Sequence, residues 1–327
     1  MRYFPRMRCC AIVVALALSA PIAGSAPAAA EDHLRVGIPA TESFPFMPVD
    51  FGASLGIFQH DGVSVERIIL LGGGKLHQGM IADAIDIAVG SGTDFAFLVK
   101  GAPEIGIAAM AGPPRLLGFV VPYDSPAHGP DDLRGKLIGT ASAGSLTDWL
   151  AHRLAQERHW APDDLRVAVI GADKTTITAA LVTHQLDAAV TASALGFELA
   201  ETQRGRLLLS AATIAGDFVT YAIFATDKIV QDNPNAVREF LKGWFETIAY
   251  MRAHRDETIA YAVTAVRRSA GVEAQEYDTV MPMYSADGKF PASGLAVVRR
   301  SFVEMRVFDS EPDLTKYYTE AFLPETK

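Results

Sequence analysis

The sequence has 327 residues, with 29 Lys and Arg against 38 Asp and Glu, for a formal net charge of −9. An acidic surface of this kind does not suit nucleic acid or anionic lipid, both of which need basic patches. It still leaves room for an anionic ligand, because a pocket can be locally positive on an acidic protein.

The first thirty residues bear on the compartment. Arg2, Arg6 and Arg8 have no acidic partner, and Ala11 to Ala20 is small or apolar apart from Ser19. Ala28 and Ala30 then form a small-x-small pattern before Glu31. A spanning helix takes about 20 apolar residues, so this run is too short to stay in a bilayer. An ordinary buried N-terminal helix would not need the basic, apolar and small blocks in that order. The order is that of a secretory signal, with cleavage expected after Ala30 and the product expected in the periplasm.

Loss of residues 1–30 takes three of the 29 basic residues and no acidic one, leaving 26 against 38, a net of −12. It also takes both cysteines, Cys9 and Cys10. The mature chain then has no disulfide, no thiolate nucleophile and no cysteine-ligated metal or iron–sulfur site. No cysteine follows the apolar run to carry a lipid. The remaining 297 residues suffice for two domains, and no later stretch is long and apolar enough to enter a membrane.

Short β-branched runs then alternate with amphipathic stretches. Strands are expected at Leu34 to Ile38, Val63 to Leu71, Ile85 to Val89 and Ile105 to Met110. Helices are expected over Met47 to Gln59, Lys75 to Ala84 and Thr93 to Lys100. This βαβα order implies a parallel sheet covered by helices on both faces. Gly112-Pro113-Pro114 and the proline-rich Pro122 to Pro130 bracket an extended run, Leu116 to Val121.

The pattern restarts beyond it. Strands fall at Lys136 to Thr140, Val167 to Ile170, Ala188 to Thr191 and Leu207 to Ser210. Helices fall at Ser145 to His159, Lys174 to His184 and Ala194 to Gln203. Extended apolar segments near Leu117–Val121 and Val219–Thr226 join the two units. Asn233-Pro234 caps a helix whose Val237, Phe240, Leu241, Trp244, Phe245 and Ile248 share one face. That face is read as core. A further helix covers Thr258 to Arg267.

In open α/β sheets, ligands bind beyond the carboxyl ends of the strands. This selects Ser43, Phe44 and Phe46 after the first strand, Gly73 after the second, and Ser91 and Thr93 after the third. In the second unit it selects Ser142, Gly144, Ser145 and Thr147, then Thr191 and Ser193. Ser145 followed by Asp148 resembles a capping box, and the free N–H groups of such a first turn suit a carboxylate or sulfonate. A plain helix cap is the alternative reading of the same residues. Phe44 and Phe46 are candidates to sandwich an apolar part of the ligand, whereas Trp149 is read as packing. Lys75 and Lys174 follow strand ends and are read as solvated. His77, His152, His159 and His184 lack metal-ligand spacing and are expected at the surface. No nucleophile elbow, phosphate loop or zinc motif occurs, so no catalytic residue, metal or cofactor is expected.

The mature chain resembles the solute-binding proteins of the nitrate/sulfonate/taurine (NitT/TauT) type of ABC importer. The resemblance lies in "LRVGIPA", "GASLGIFQHDGVSVERI", "ADAIDIAVGSGTDF", "DLRGKLIGTASAGSLTDWL", "HQLDAAVTA" and "NPNAVREFLKGWFETIAYM", taken in that order and spacing. It implies a two-lobed, type II periplasmic-binding-protein-like α/β fold, each lobe a mostly parallel sheet flanked by helices, joined by two hinge strands. Residues 31–118 and 222–327 would form lobe I and residues 119–221 lobe II. It also implies a small-molecule ligand in the interlobe cleft, an ABC permease and its ATPase as partners, and a monomer inserted in no membrane. Ser142 to Thr147 resembles the family's anion-contacting turn. Family ligands range from nitrate, bicarbonate and sulfonates to aromatic carboxylates and vitamin precursors. Sulfonate binders often bring a cationic side chain into the cleft, and none is identifiable in this sequence. Two rival readings use the same fold. One is an enzyme like the pyrimidine-precursor synthases of thiamine biosynthesis, which are intracellular and carry a cysteine-rich iron-binding motif. The other is a ligand-sensing partner of a membrane receptor.

Overall fold

A computed structural model describes Met1, residues 32–41 and residues 43–325. The proposed signal and its cleavage point lie outside the described residues. β1 (Asp32–Ile38) runs through a tight turn into α1 (Pro48–Ser54) and α2 (Ile57–His60), followed by β2 (Val63–Ile69). α3 (Gly73–Ile81), β3 (Ile87–Ser91), α4 (Phe95–Val99) and β4 (Glu104–Ala111) come next. The chain continues with β5 (Leu117–Pro122), β6 (Leu137–Thr140), α5 (Leu146–Glu157) and β7 (Arg166–Val169). Then come α6 (Lys174–Val182), β8 (Ala188–Ala192), α7 (Ser193–Glu201), β9 (Gly205–Ser210) and β10 (Tyr221–Thr226). Five helices close the chain: α8 (Asp227–Asp232), α9 (Pro234–Ala253), α10 (Arg255–Val266), α11 (Ala270–Val280) and α12 (Ala292–Glu304).

The stretch expected as one helix over Met47 to Gln59 is two. Gly56 takes a left-handed conformation, φ 72°, and splits it. That geometry costs glycine little and other residues about 1 kcal/mol or more. The stretch from Thr93 to Lys100 also differs, since Gly92–Asp94 form a 3-10 turn and only Phe95–Val99 are α-helical.

Among the described residues, ten strands make two five-stranded sheets of the same plan, β2-β1-β3-β10-β4 and β7-β6-β8-β5-β9. Each is parallel except for one strand. β10 runs antiparallel to β3 and β4, and β5 runs antiparallel to β8 and β9. The exceptions have one cause. The chain leaves the carboxyl end of β4 and enters the other sheet as β5, then leaves the carboxyl end of β9 and returns as β10. A strand that arrives at a carboxyl edge must run against its neighbours. The fold is therefore two-lobed α/β, with carboxyl edges joined by two crossings.

Thr220 ties the two crossings side by side. Its N–H donates to the Ala111 carbonyl at 3.0 Å, and its hydroxyl donates to the Gly112 carbonyl. The stripe Val237, Phe240, Leu241, Trp244 and Ile248 on α9 is buried in one core with Leu34, Val36 and Ile38 of β1. Its assignment to the core holds. A second core is continuous from Leu76 and Phe95 beside the first sheet to Ile138 and Trp149 in the other, bridged by Leu295, Val298 and Phe302 of α12.

Candidate functional site

The carboxyl end of β3 carries the first candidate turn. Ser91 Oγ accepts the Thr93 N–H at 3.3 Å, and the two hydroxyls lie 2.9 Å apart. Asp94 Oδ2 accepts the Ser91 N–H at 2.8 Å, which closes a capping box. Glycine is required around this turn. A Cβ on Gly73 or on Gly90 would lie 2.6 Å from an Asp94 carboxylate oxygen. One on Gly92 would lie 1.9 Å from the Val219 carbonyl oxygen in the second crossing.

Behind the turn the structure corrects one expectation. His77 is fully buried rather than at the surface, because α3 turns the face Leu76–His77–Met80 inward. Its Nδ1 is 2.6 Å from Glu104 Oε2, its Nε2 is 3.2 Å from Asp94 Oδ2, and its ring stacks on Phe97 at 4.6 Å. Burial opposes the imidazolium, but the charges of Asp94 and Glu104, with the hydrogen bond to Glu104, outweigh it and lift the pKa to about 9. His152, His159 and His184 are exposed, as expected.

The second sheet repeats the motif. Residues 91–94 and 145–148 both read Ser-x-Thr-Asp. Ser145 and Thr147 hydroxyls are 3.0 Å apart, and Ser145 Oγ caps α5 by accepting the Asp148 N–H at 3.3 Å. Much of this turn is internally satisfied. Ala141 N–H donates to Thr147 Oγ1, Ser142 N–H to Ser145 Oγ, and Gly144 N–H to the Asp148 carboxylate. The capping-box expectation is met by Ser145, while Asp148 turns to Gly144 instead of back to Ser145. The donors left for a ligand are fewer than the sequence suggested, and an acidic group stands beside them. A hollow of about 390 Å³ borders Ala143 and Gly144, lined also by Trp149, Glu304 and Met305, so it opens on the α5–α12 side of the turn.

Thr191 and Ser193 end β8 and begin α7. Both are buried, and Ser193 is committed to the first crossing. Its hydroxyl donates to the Arg115 carbonyl at 2.9 Å, and its N–H donates to the Leu116 carbonyl. Ser43 is partly exposed, at the start of the Phe44–Phe46 turn. Phe44 and Phe46 are buried, with their rings against Tyr277 at 6.3 Å and Tyr221 at 4.9 Å. Lys75 is solvated, while Lys174 pairs with Glu198. Trp149 packs on Phe218, and its indole N–H donates to Glu304.

Three groups near these edges escape sequence reasoning. Tyr221 opens β10 opposite Ser91 and Ala111. Glu276 on α11 is 4% exposed, and burial raises its pKa to about 7 against the partial relief of Arg268. Arg268 reaches from the α10–α11 loop to Glu198 on α7 at 3.0 Å and to Glu273 at 3.4 Å. Ser269 adds a bond to Glu201 on the same helix, at 2.7 Å. These contacts join the C-terminal helices to the second sheet's α7.

Residues 43–258 match the family model described as NMT1/THI5 like. The chain belongs to that family. The matched segment begins at the Phe44–Phe46 turn and runs through both Ser-x-Thr-Asp turns and both crossings into α10. No curated protein sequence matches the chain. Among solved structures, the periplasmic aliphatic sulphonate-binding protein SsuA from Escherichia coli is similar, at 17% identity over 88% of this chain and 91% of its own, with TM-score 0.73. The alkanesulfonate-binding protein SsuA from Xanthomonas axonopodis pv. citri, bound to MOPS, covers 89% and 99% at 15% identity and TM-score 0.68. The desulfurization enzyme DszB also shares the fold, with 15% identity, 89% and 97% coverage and TM-score 0.64. These likenesses bear out the NitT/TauT-type resemblance and the fold. Because the fold also houses an enzyme, it does not by itself assign a function.

Proposed function

We propose that this NMT1/THI5-like protein is the solute-binding component of an ABC importer. It would be exported to the periplasm and processed after Ala30. It captures a small solute between its lobes and presents it to a permease and its ATPase. The observation that carries the reading is the paired arrangement of two like sheets, whose carboxyl edges are joined by two tied crossings. Each edge bears a Ser-x-Thr-Asp turn with paired hydroxyls. A ligand that touches both edges favours a closed state by its difference in affinity for the two states, and closure is then the signal to the permease.

The lobes in this reading are residues 31–118 with 222–327, and residues 119–221, with the junctions in the two crossings. The solute is small, either an anion of the sulfonate, carboxylate or nitrate kind or a heteroaromatic vitamin precursor. The ligand-contacting set is drawn from Ser43, Phe44, Phe46, Gly73, Ser91, Thr93, Ser142, Gly144, Ser145, Thr147, Thr191 and Ser193. An enzyme of the pyrimidine-precursor type is disfavoured, because both cysteines precede the proposed cleavage point.

The test is mass spectrometry of solute released by denaturing periplasmically purified protein, followed by calorimetry with the identified compound. Tight one-to-one binding without turnover, together with compaction in X-ray scattering, supports the reading. Conversion of the compound, or binding with no compaction, overturns it.

A further inference from the structure

Among the described residues, Glu276 is a carboxylate without a partner. It is 4% exposed, its Oε2 is fully enclosed, and it makes no hydrogen bond or ion pair with any described residue. A buried charge left unpaired costs several kcal/mol, so such a group is rarely kept without a use. Its neighbour on α11, Glu273, is equally buried but is answered by Arg268. That arginine is also shared with Glu198 and does not come within ion-pair distance of Glu276. The two acids differ in what they face.

The surroundings of Glu276 place it at the edge where the ligand is expected. Its charge acts on the Tyr221 and Tyr284 hydroxyls, both raised in pKa by burial and then by neighbours that include Glu276. Tyr221 is the first residue of β10, beside Ser91 at the carboxyl end of β3, and its hydroxyl donates to nothing among the described residues. Tyr284 fixes the turn after β1 by donating to the Phe44 and Pro45 carbonyls at 3.3 and 3.1 Å. Next along α11, Tyr277 meets Phe44 edge-on. The Phe44–Phe46 turn links the two groups: Tyr277, next to the unanswered acceptor on α11, packs on Phe44, and Tyr221, which carries the unanswered hydroxyl beside Ser91, packs on Phe46.

We propose that Glu276 is a ligand-contacting, specificity-determining residue, and that the solute offers it an N–H donor from a basic nitrogen, an ammonium or amidinium group. The inference rests on the solute-binding reading and narrows it. The solute then carries a cationic end for Glu276 and Tyr221, whatever its other end presents to the Ser145–Thr147 turn. A purely anionic solute would instead be repelled by Glu276, with Asp94 close by. In the free protein the cost of the lone carboxylate is lowered by proton uptake near neutral pH, and a cationic ligand removes that cost by supplying the missing charge.

The experiment uses the mature protein and matched probe pairs. Each pair is an alkylammonium, benzamidinium or aminoalkanesulfonate compound with its analogue lacking the nitrogen, read by thermal shift and then calorimetry. The nitrogen-bearing member should bind at least about tenfold more tightly, the ratio that 1.4 kcal/mol represents. Glu276→Gln should abolish that preference while the protein still melts cooperatively. Affinity of the parent for the cationic probe should fall as pH drops below about 7 and Glu276 takes up its proton, whereas the Glu276→Gln profile should lack that fall. The groups facing Glu276, namely Arg268, Glu273, Glu198, Tyr221 and Tyr284, are unchanged in the variant, so the difference isolates Glu276. Preference for the nitrogen-free members, or equal binding by parent and variant, overturns the inference and leaves the solute-binding reading standing. Failure of every nitrogen-bearing probe to bind also overturns the inference, and the solute-binding reading then stands or falls on the compound released by denaturation.

Discussion

Replacing His77 with Leu tests how far the first-sheet turn depends on what lies behind it. In the native chain His77 joins Glu104, whose side chain is fully buried, to Asp94, which holds the Ser91 N–H. His77→Leu leaves Glu104 buried with neither oxygen bonded, since Oε1 already lacks a partner. Breaking a buried pair in this way costs about 3–5 kcal/mol. For a chain of this size that is a fall in Tm of roughly 6–20 °C. The pH profile carries the sign. His77 has a folded pKa of about 9 against 6.5 unfolded, so its contribution is whole below pH 6.5 and is lost as pH rises through about 9. At about 1.4 kcal/mol per pKa unit it amounts to about 3–4 kcal/mol at most. Urea melts between pH 6 and pH 9.5 should show this decline in the parent and not in His77→Leu. The double variant His77→Leu/Glu104→Leu should recover most of the loss, because an apolar pair can replace a buried ionic one. If the single variant matches the parent in stability and pH slope, the contact between His77 and its two carboxylates does not stabilise the protein and the reasoning fails.

Three further outcomes are expected. Gly92→Ala should cost about 1–3 kcal/mol in a denaturant melt, because the new Cβ meets a backbone carbonyl of the second crossing that cannot step aside. Ser145→Ala should lose about 1 kcal/mol of α5 capping and weaken solute binding roughly ten- to a hundredfold. If Ser145→Ala and Thr147→Ala both bind like the parent in calorimetry, the turn is a helix cap alone. Intact mass of the periplasmic protein should correspond to a chain without residues 1–30, and a full-length product would remove the export reading.

The fold was legible because its signals are local. β-branched runs, glycine turns and the α9 stripe each lie within a dozen residues and set the two α/β units without help from distant contacts. The crossings were legible for the same reason, since prolines and glycines bracket β5. What local pattern could not give is direction. Whether Leu117–Pro122 runs with or against β8 depends on which edge it enters, and that is a property of the whole chain path. The break at Gly56 was present as a residue, but its left-handed turn is one of several conformations a glycine permits.

The site was less legible, because its chemistry depends on pairs far apart in sequence. His77 reads as a surface residue until Glu104 and Asp94 are brought to it from 27 and 17 positions away. Once they are, a charged imidazole can be buried. Glu276 draws no reading from the sequence, because an acid in a helix usually faces solvent and α11 departs from a clean apolar stripe at Glu273 and Glu276. The same departure carries information. Glu273 breaks the stripe and is paired with Arg268, whereas Glu276 breaks it and has no hydrogen-bond or ion-pair partner among the described residues. The signal that could have marked it is two acids at i and i+3 on the inward face, which Val272, Tyr277 and Val280 define. A helix that buries two acids while its neighbours offer one shared arginine is short of positive charge. In a solute-binding protein the ligand is the component free to supply it.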